Sequence, residues 1–158
     1  MSFTHLHLLL NHFPVIGTII GIALLGIAVL RRNNELTKTT LGLFAALGVI
    51  SVVVYFTGEP AEEAIEKLPG FSEAITERHE EFALAATIVL ASFGALALGA
   101  LAVFRKKSLP RWVTLSSLVL ALASGAVMSY TAMLGGQVRH TEVRAGNADA
   151  AASQENPD

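Results

Sequence analysis

Cysteine is absent from this chain of 158 residues. That excludes disulfides, thiolate metal sites, iron–sulfur ligation and a covalently attached c-type haem. Charge is scarce as well, at 15% of residues, and no basic block gives the electrostatic footprint of a nucleic-acid binder. Any metal site must therefore draw on histidine, carboxylate, methionine or backbone oxygen. Hydrolase signatures are also missing. His79-Glu80-Glu81-Phe82-Ala83 lacks the second histidine of a zinc-protease helix, and Thr76 stands where a di-iron Glu-x-x-His pair needs its glutamate. There is no phosphate loop and no serine nucleophile with a base, so an autonomous enzyme is not expected. The N-terminus has no basic region and no small-residue cleavage site after its first apolar run, which predicts a retained first helix and no signal peptide.

Apolar residues are abundant, at 53%, and the mean hydropathy is positive. This is too oily for an ordinary soluble domain. The apolar residues fall in four blocks, each long enough for a hydrocarbon core of about 30 Å. They predict spans at 14–30, 40–57, 82–104 and 111–134 in one transmembrane domain, residues 1–144, with a disordered tail at 145–158. Residues 2–12 read as a short interfacial segment, and Pro14 as a helix start. Thr57-Gly58-Glu59-Pro60 breaks span two, and residues 61–68 predict a short amphipathic surface helix in the outer loop. From Ser72 one helix can run through Glu77-Arg78-His79-Glu80-Glu81 into span three, and Gly135-Gly136 is expected to end span four. The fold class is thus all-α: an integral membrane up-down-up-down four-helix bundle, the arrangement that short connections permit.

Orientation follows from the basic residues. Arg31, Arg32, Lys38, Arg105, Lys106, Lys107 and Arg111 flank one side, against Lys67, Arg78, Arg139 and Arg144 on the other. Basic loops favour the cytoplasm, which places both termini and the 58–81 loop outside. In a bacterium this is the periplasmic face of the inner membrane.

On that face the topology gathers all five histidines: His5, His7, His12, His79 and His140. In a helix His5 and His12 share a face but lie about 10 Å apart along the axis, too far to ligate one metal, and His7 points roughly opposite His5. His12 just before span one and His79 just before span three have similar depth, so they predict an inner ligand pair. His140 with His5 or His7 would form an outer tier. Imidazole suits haem iron, copper and zinc. Bis-histidine haem b fits a bundle core best, with Arg78 and Arg139 to pair its propionates and Gly58, Gly135 and Gly136 to give room for a flat ring. Copper or zinc ions are the alternative. Taken singly, His7 or His140 more often bonds a carbonyl or a headgroup, and the acidic run Glu59 to Glu81 reads as a solvated loop.

His5-Leu-His7-Leu-Leu-Leu-Asn-His12-Phe-Pro14 resembles the opening of the bacterial four-span membrane proteins grouped as domain of unknown function 2231. His12-Phe13-Pro14, Thr57-Gly58 and His79 match that family's His-Phe-Pro signature, its Thr-Gly turn after span two and its histidine before span three. Leu8 departs from a proline that relatives often carry there. The resemblance covers residues 5–140. It implies a polytopic membrane domain, sometimes found alongside Rieske-type redox modules, and so favours electron transfer. The expected function is a redox subunit passing electrons between a membrane quinol and an extracytoplasmic partner. Its rivals are a non-catalytic membrane assembly subunit and a metal-ion-binding membrane protein. The partners include the bilayer but no nucleic acid, and both homo- and hetero-oligomers are compatible with the sequence.

Overall fold

The computed structural model describes residues 2–144, so the predicted disordered tail lies outside the described residues. All regular structure among them is helical: α1 (Phe3–Leu10), α2 (His12–Arg31), α3 (Asn34–Phe56), α4 (Gly58–Glu63), α5 (Glu73–Val103) and α6 (Arg111–Arg139), with a short 3₁₀ turn at Thr141–Val143. Four segments are long and apolar enough to cross a membrane: Phe3–Arg31, Asn34–Phe56, Glu73–Val103 and Arg111–Arg139. This is the architecture of a multi-pass membrane protein.

The local chemistry explains most boundaries. Ser2 caps α1 by accepting from the His5 amide at 3.3 Å. Pro14 sits in the first turn of α2, where its missing N–H costs nothing. Its ring would clash with the carbonyl four residues back, so the chain steps at Asn11 and restarts as α2. Asn33 caps α3 by accepting from the Leu36 amide at 3.0 Å, which starts this helix earlier than the apolar run predicted.

Two expectations need correction. The loop helix is Gly58–Glu63, not 61–68. Pro60 belongs in a first turn, and beyond Glu63 the chain passes into turns, with the Leu68 amide donating to the Ile65 carbonyl at 2.9 Å ahead of Pro69-Gly70. The pair Gly135-Gly136 does not end α6, which continues to Arg139. Gly135 is there to admit a neighbour, as described below.

The principal packing pairs are α2 with α3, α3 with α5, α5 with α6, and α6 with α2. They close a ring in which α2 and α5 stand at opposite corners. Phe44 and Phe93, both buried, meet inside it with ring centroids 4.5 Å apart. Gly48 and Gly94 bring α3 and α5 into backbone contact. The interior also holds Thr18, Thr40, Ser51, Ser117, Ser124 and Thr131, whereas Ile16, Ile20, Leu30, Val49, Leu96 and Val119 face outward. Such an arrangement would expose oil to water, but it suits lipid. Most buried hydroxyls donate back to carbonyls of their own helix, as Thr40 does to Leu36 at 2.8 Å and Ser124 to Leu120 at 2.8 Å.

Candidate histidine site

Two histidines, His7 and His79, make matching contacts with neighbouring helices. Each lies in the second turn of its helix, on α1 and α5 respectively. His7 Nδ1 is 3.1 Å from the carbonyl oxygen of Val54 on α3. His79 Nδ1 is 3.1 Å from the carbonyl oxygen of Thr131 on α6. A carbonyl only accepts, so both Nδ1 atoms carry the proton, and each neutral ring keeps its lone pair on Nε2. Neither Nε2 has a hydrogen-bond partner among the described residues. Both rings are partly buried, and they are near enough for the charge of one to act on the other.

A glycine backs each ring. A Cβ on Gly58 would stand 3.7 Å from His7 Cε1, and a Cβ on Gly135 would stand 3.0 Å from His79 Cε1. The Thr57 hydroxyl lies 3.4 Å from His7 Nδ1, but it is already committed to the carbonyls of Val53 and Val54. One helical turn beyond His7, the amide oxygen of Asn11 is buried and accepts nothing. Beside His79, Arg78 donates to the Tyr130 hydroxyl at 2.8 Å and stands 6.0 Å over that ring. Arg78 has no acidic partner within ion-pair distance among the described residues.

The other predicted ligands lie elsewhere. His12 is exposed, and it is His7 rather than His12 whose charge acts on His79. The cause is α1: it extends span one as far as Phe3, so that His7 reaches the depth expected of His12. His5 is exposed, with its Nδ1 2.7 Å from Ser2 Oγ. His140 is exposed and bonded to Glu142 at 2.9 Å. The Glu142 amide and the His140 ring together hold that carboxyl below its ordinary range. Arg139 lines a small gap beneath the loop with Ile65, Leu68 and Gly70. Among the described residues no group of three or more histidine and carboxylate side chains is placed to hold a metal ion. A cleft of about 160 Å³ lies near the far ends of the spans, lined by Arg32, Asn33, Thr37 and Arg111, and touches no histidine.

The comparisons with known proteins add nothing to this geometry. No family model matches the chain, no curated protein is similar to it, and no solved structure resembles it.

Proposed function

We propose that the protein is a membrane electron-transfer subunit that binds haem b between His7 and His79. The observation that carries this reading is the pair of imidazoles, each fixed through Nδ1–H to a backbone carbonyl with Nε2 unengaged. Metal-bound histidines show the same pattern, the far ring N–H given to a carbonyl or carboxylate, which sets the tautomer and raises the basicity of the ligating nitrogen.

The residues present fit a haem better than a bare ion. Zinc in a structural site takes four protein donors, and among the described residues no group of even three is placed for one. A porphyrin supplies four nitrogens of its own, so His7 and His79 would hold its iron with no third protein donor. Gly58 and Gly135 leave room beside the two rings, and Arg78, with no acidic partner among the described residues, would pair with a propionate. When bound, such a group exchanges one electron at a time. The Val54 and Thr131 carbonyls would hold the imidazole planes, and the apolar bundle would exclude water.

The proposal extends to the surroundings. The helices would run up-down-up-down in a bacterial inner membrane. The basic residues at 31–38 and 105–111 would face the cytoplasm, with the histidine pair near the outer surface. A quinol would then be the electron source in the membrane, and an extracytoplasmic redox protein the acceptor. The likeness to domain of unknown function 2231 points the same way.

The test is an optical spectrum of detergent-purified protein expressed with ample haem, oxidised and then dithionite-reduced, with a pyridine haemochrome assay. Sharp reduced b-type bands are expected. A flat visible spectrum would remove the haem reading, and metal analysis would then decide between an ion-binding protein and a bare assembly subunit.

A further inference from the structure

The two ligand histidines sit in matching surroundings, and the match extends along the helices. Adding 72 to residue numbers carries Thr4 and His7 onto Thr76 and His79. Adding 77 carries Val54 and Gly58 onto Thr131 and Gly135. Between them, Thr37-Lys-Thr-Thr-Leu-Gly-Leu-Phe-Ala-Ala-Leu-Gly48 aligns with Thr114-Leu-Ser-Ser-Leu-Val-Leu-Ala-Leu-Ala-Ser-Gly125. Threonine, two hydroxyl residues, two leucines, an alanine and the final glycine coincide in register.

Burial follows the same offsets. Pro14, Thr18, Gly21 and Leu25 are buried on α2, as are Ala86, Leu90, Phe93 and Ala97 on α5. Any two helices with one inward face share a period, so burial alone decides little. The contacts between helices decide it. A Cβ on Gly48 would meet Leu90 and Gly94, and a Cβ on Gly125 would meet Thr18 and Ile22. Those contacts correspond residue for residue, since Leu90 matches Thr18 and Gly94 matches Ile22. The histidine–carbonyl–glycine arrangement is repeated in the same way.

From this we infer that the chain is a duplicated two-helix unit, α1–α3 and α5–α6, whose halves share one ligand site on their pseudo-twofold axis, with His7 and His79 as equivalent ligands of a single centre. A unit of two spans returns the chain to its starting side, so the axis runs along the membrane normal. The ring of packing pairs has this symmetry: α2 on α6 is the counterpart of α5 on α3. A site on such an axis takes one ligand per chain that offers opposed, like positions to two imidazoles, which is the chemistry of a metal centre with two axial positions. The symmetry is broken at Arg78 and Tyr130, whose counterparts are Leu6 and Val53, so the acidic edge of that ligand belongs on the α5–α6 side.

This rests on the haem reading, and one experiment separates the two. Full-length protein freed of haem is titrated with ferric haem, alongside His7→Ala, His79→Ala and His12→Ala. One haem per chain is expected, low-spin and six-coordinate. His7→Ala and His79→Ala should weaken binding by similar factors, at least tenfold, and each should leave a five-coordinate high-spin haem, with His12→Ala unchanged. Two haems per chain, or a low-spin spectrum surviving in either of the first two variants, overturns the shared site while the haem reading stands. If the wild type takes no haem, the haem reading falls, and cobalt(II) becomes the probe. Cobalt binding lost on changing either histidine supports the shared site; binding indifferent to both overturns it.

Discussion

At the scale of single residues, the site rests on distances of a few tenths of an ångström. Gly135 and Gly58 occupy equivalent places but have different tolerances, because the added methyl would stand 3.0 Å from His79 in one case and 3.7 Å from His7 in the other. The first distance is below ordinary contact. The ring it pushes is tied to Thr131, so it cannot retreat without losing that bond. Gly135→Ala is therefore expected to weaken haem binding severalfold and shift the reduced bands, whereas Gly58→Ala stays near wild type. Equal behaviour of the two variants in a haem titration would show that the glycines do not set the ring positions. Arg78 and Arg139 separate in the same way. A hydrogen bond to a charged group contributes about 1.5–3 kcal/mol, so Arg78→Gln should cost roughly tenfold or more in affinity. Arg139→Gln should cost less, because Arg139 lines the gap beneath the loop with Ile65 and Leu68.

At the scale of elements, the spans were readable because about 20 apolar residues in a row have few other uses. The pairing of histidines was harder to read. It depends on where the first helix begins, and Pro14 suggested a start that α1 in fact precedes. The signal that selects His7 over His12 was present as the repeat Thr4-x-x-His7 and Thr76-x-x-His79, but it is short and buried in apolar sequence of low information. The end of α6 was misplaced for a related reason: Gly135 serves packing against His79, and a glycine looks the same in either role. Packing glycines differ sharply in what they tolerate. A Cβ on Gly94 would meet the Phe44 carbonyl at 3.0 Å and the Gly48 Cα at 3.3 Å, backbone that cannot move aside. Gly94→Val should thus destabilise the bundle by about 1–3 kcal/mol, while Gly99→Ala, with nothing within 4 Å, should leave thermal unfolding in detergent nearly unchanged. The loop carries a separate pH response. Glu62 shares a hydrogen bond with Glu80; this, partial burial and repulsion from Glu80, Glu66 and Glu59 push its carboxyl from 4.5 up to about 7. The folded state holds this proton more tightly than the unfolded chain. The stability that this contact contributes is complete below pH 4.5, erodes as pH rises from there, and is lost above about pH 7, where the folded carboxyl itself gives up the proton. A spin label at Lys67→Cys should become more mobile between pH 5 and pH 8, and Glu62→Gln should abolish the change. Identical mobility at both pH values in the otherwise unaltered loop would mean that Glu62 and Glu80 do not hold it.

At the scale of the whole molecule, the direction of insertion decides which compartment the histidine site serves. His7 and His79 lie near the chain's N-terminus and the 58–72 loop, whereas Arg31, Arg32, Lys38 and the cluster Arg105, Lys106, Lys107 lie at the opposite ends of the spans. A basic side chain held near the outer surface during insertion works against the membrane potential, about 2.3 kcal/mol per charge per 100 mV, so the basic end should stay in the cytoplasm. The duplication makes this preference additive. Both two-span units place their basic turn on one side, Arg31-Arg32 in the first and Arg105-Lys106-Lys107 in the second, so neither half opposes the other. The absence of cysteine makes the direction easy to measure, since one engineered cysteine is then the only thiol. In intact bacterial cells, a membrane-impermeant maleimide should label Lys67→Cys at once and Lys107→Cys only after permeabilisation. Labelling in the reverse order would put the histidine pair on the cytoplasmic side, and an extracytoplasmic electron acceptor would then have no access to it. Partial labelling of both would mean dual insertion, which substituting Arg105, Lys106 and Lys107 together should push further toward the inverted form.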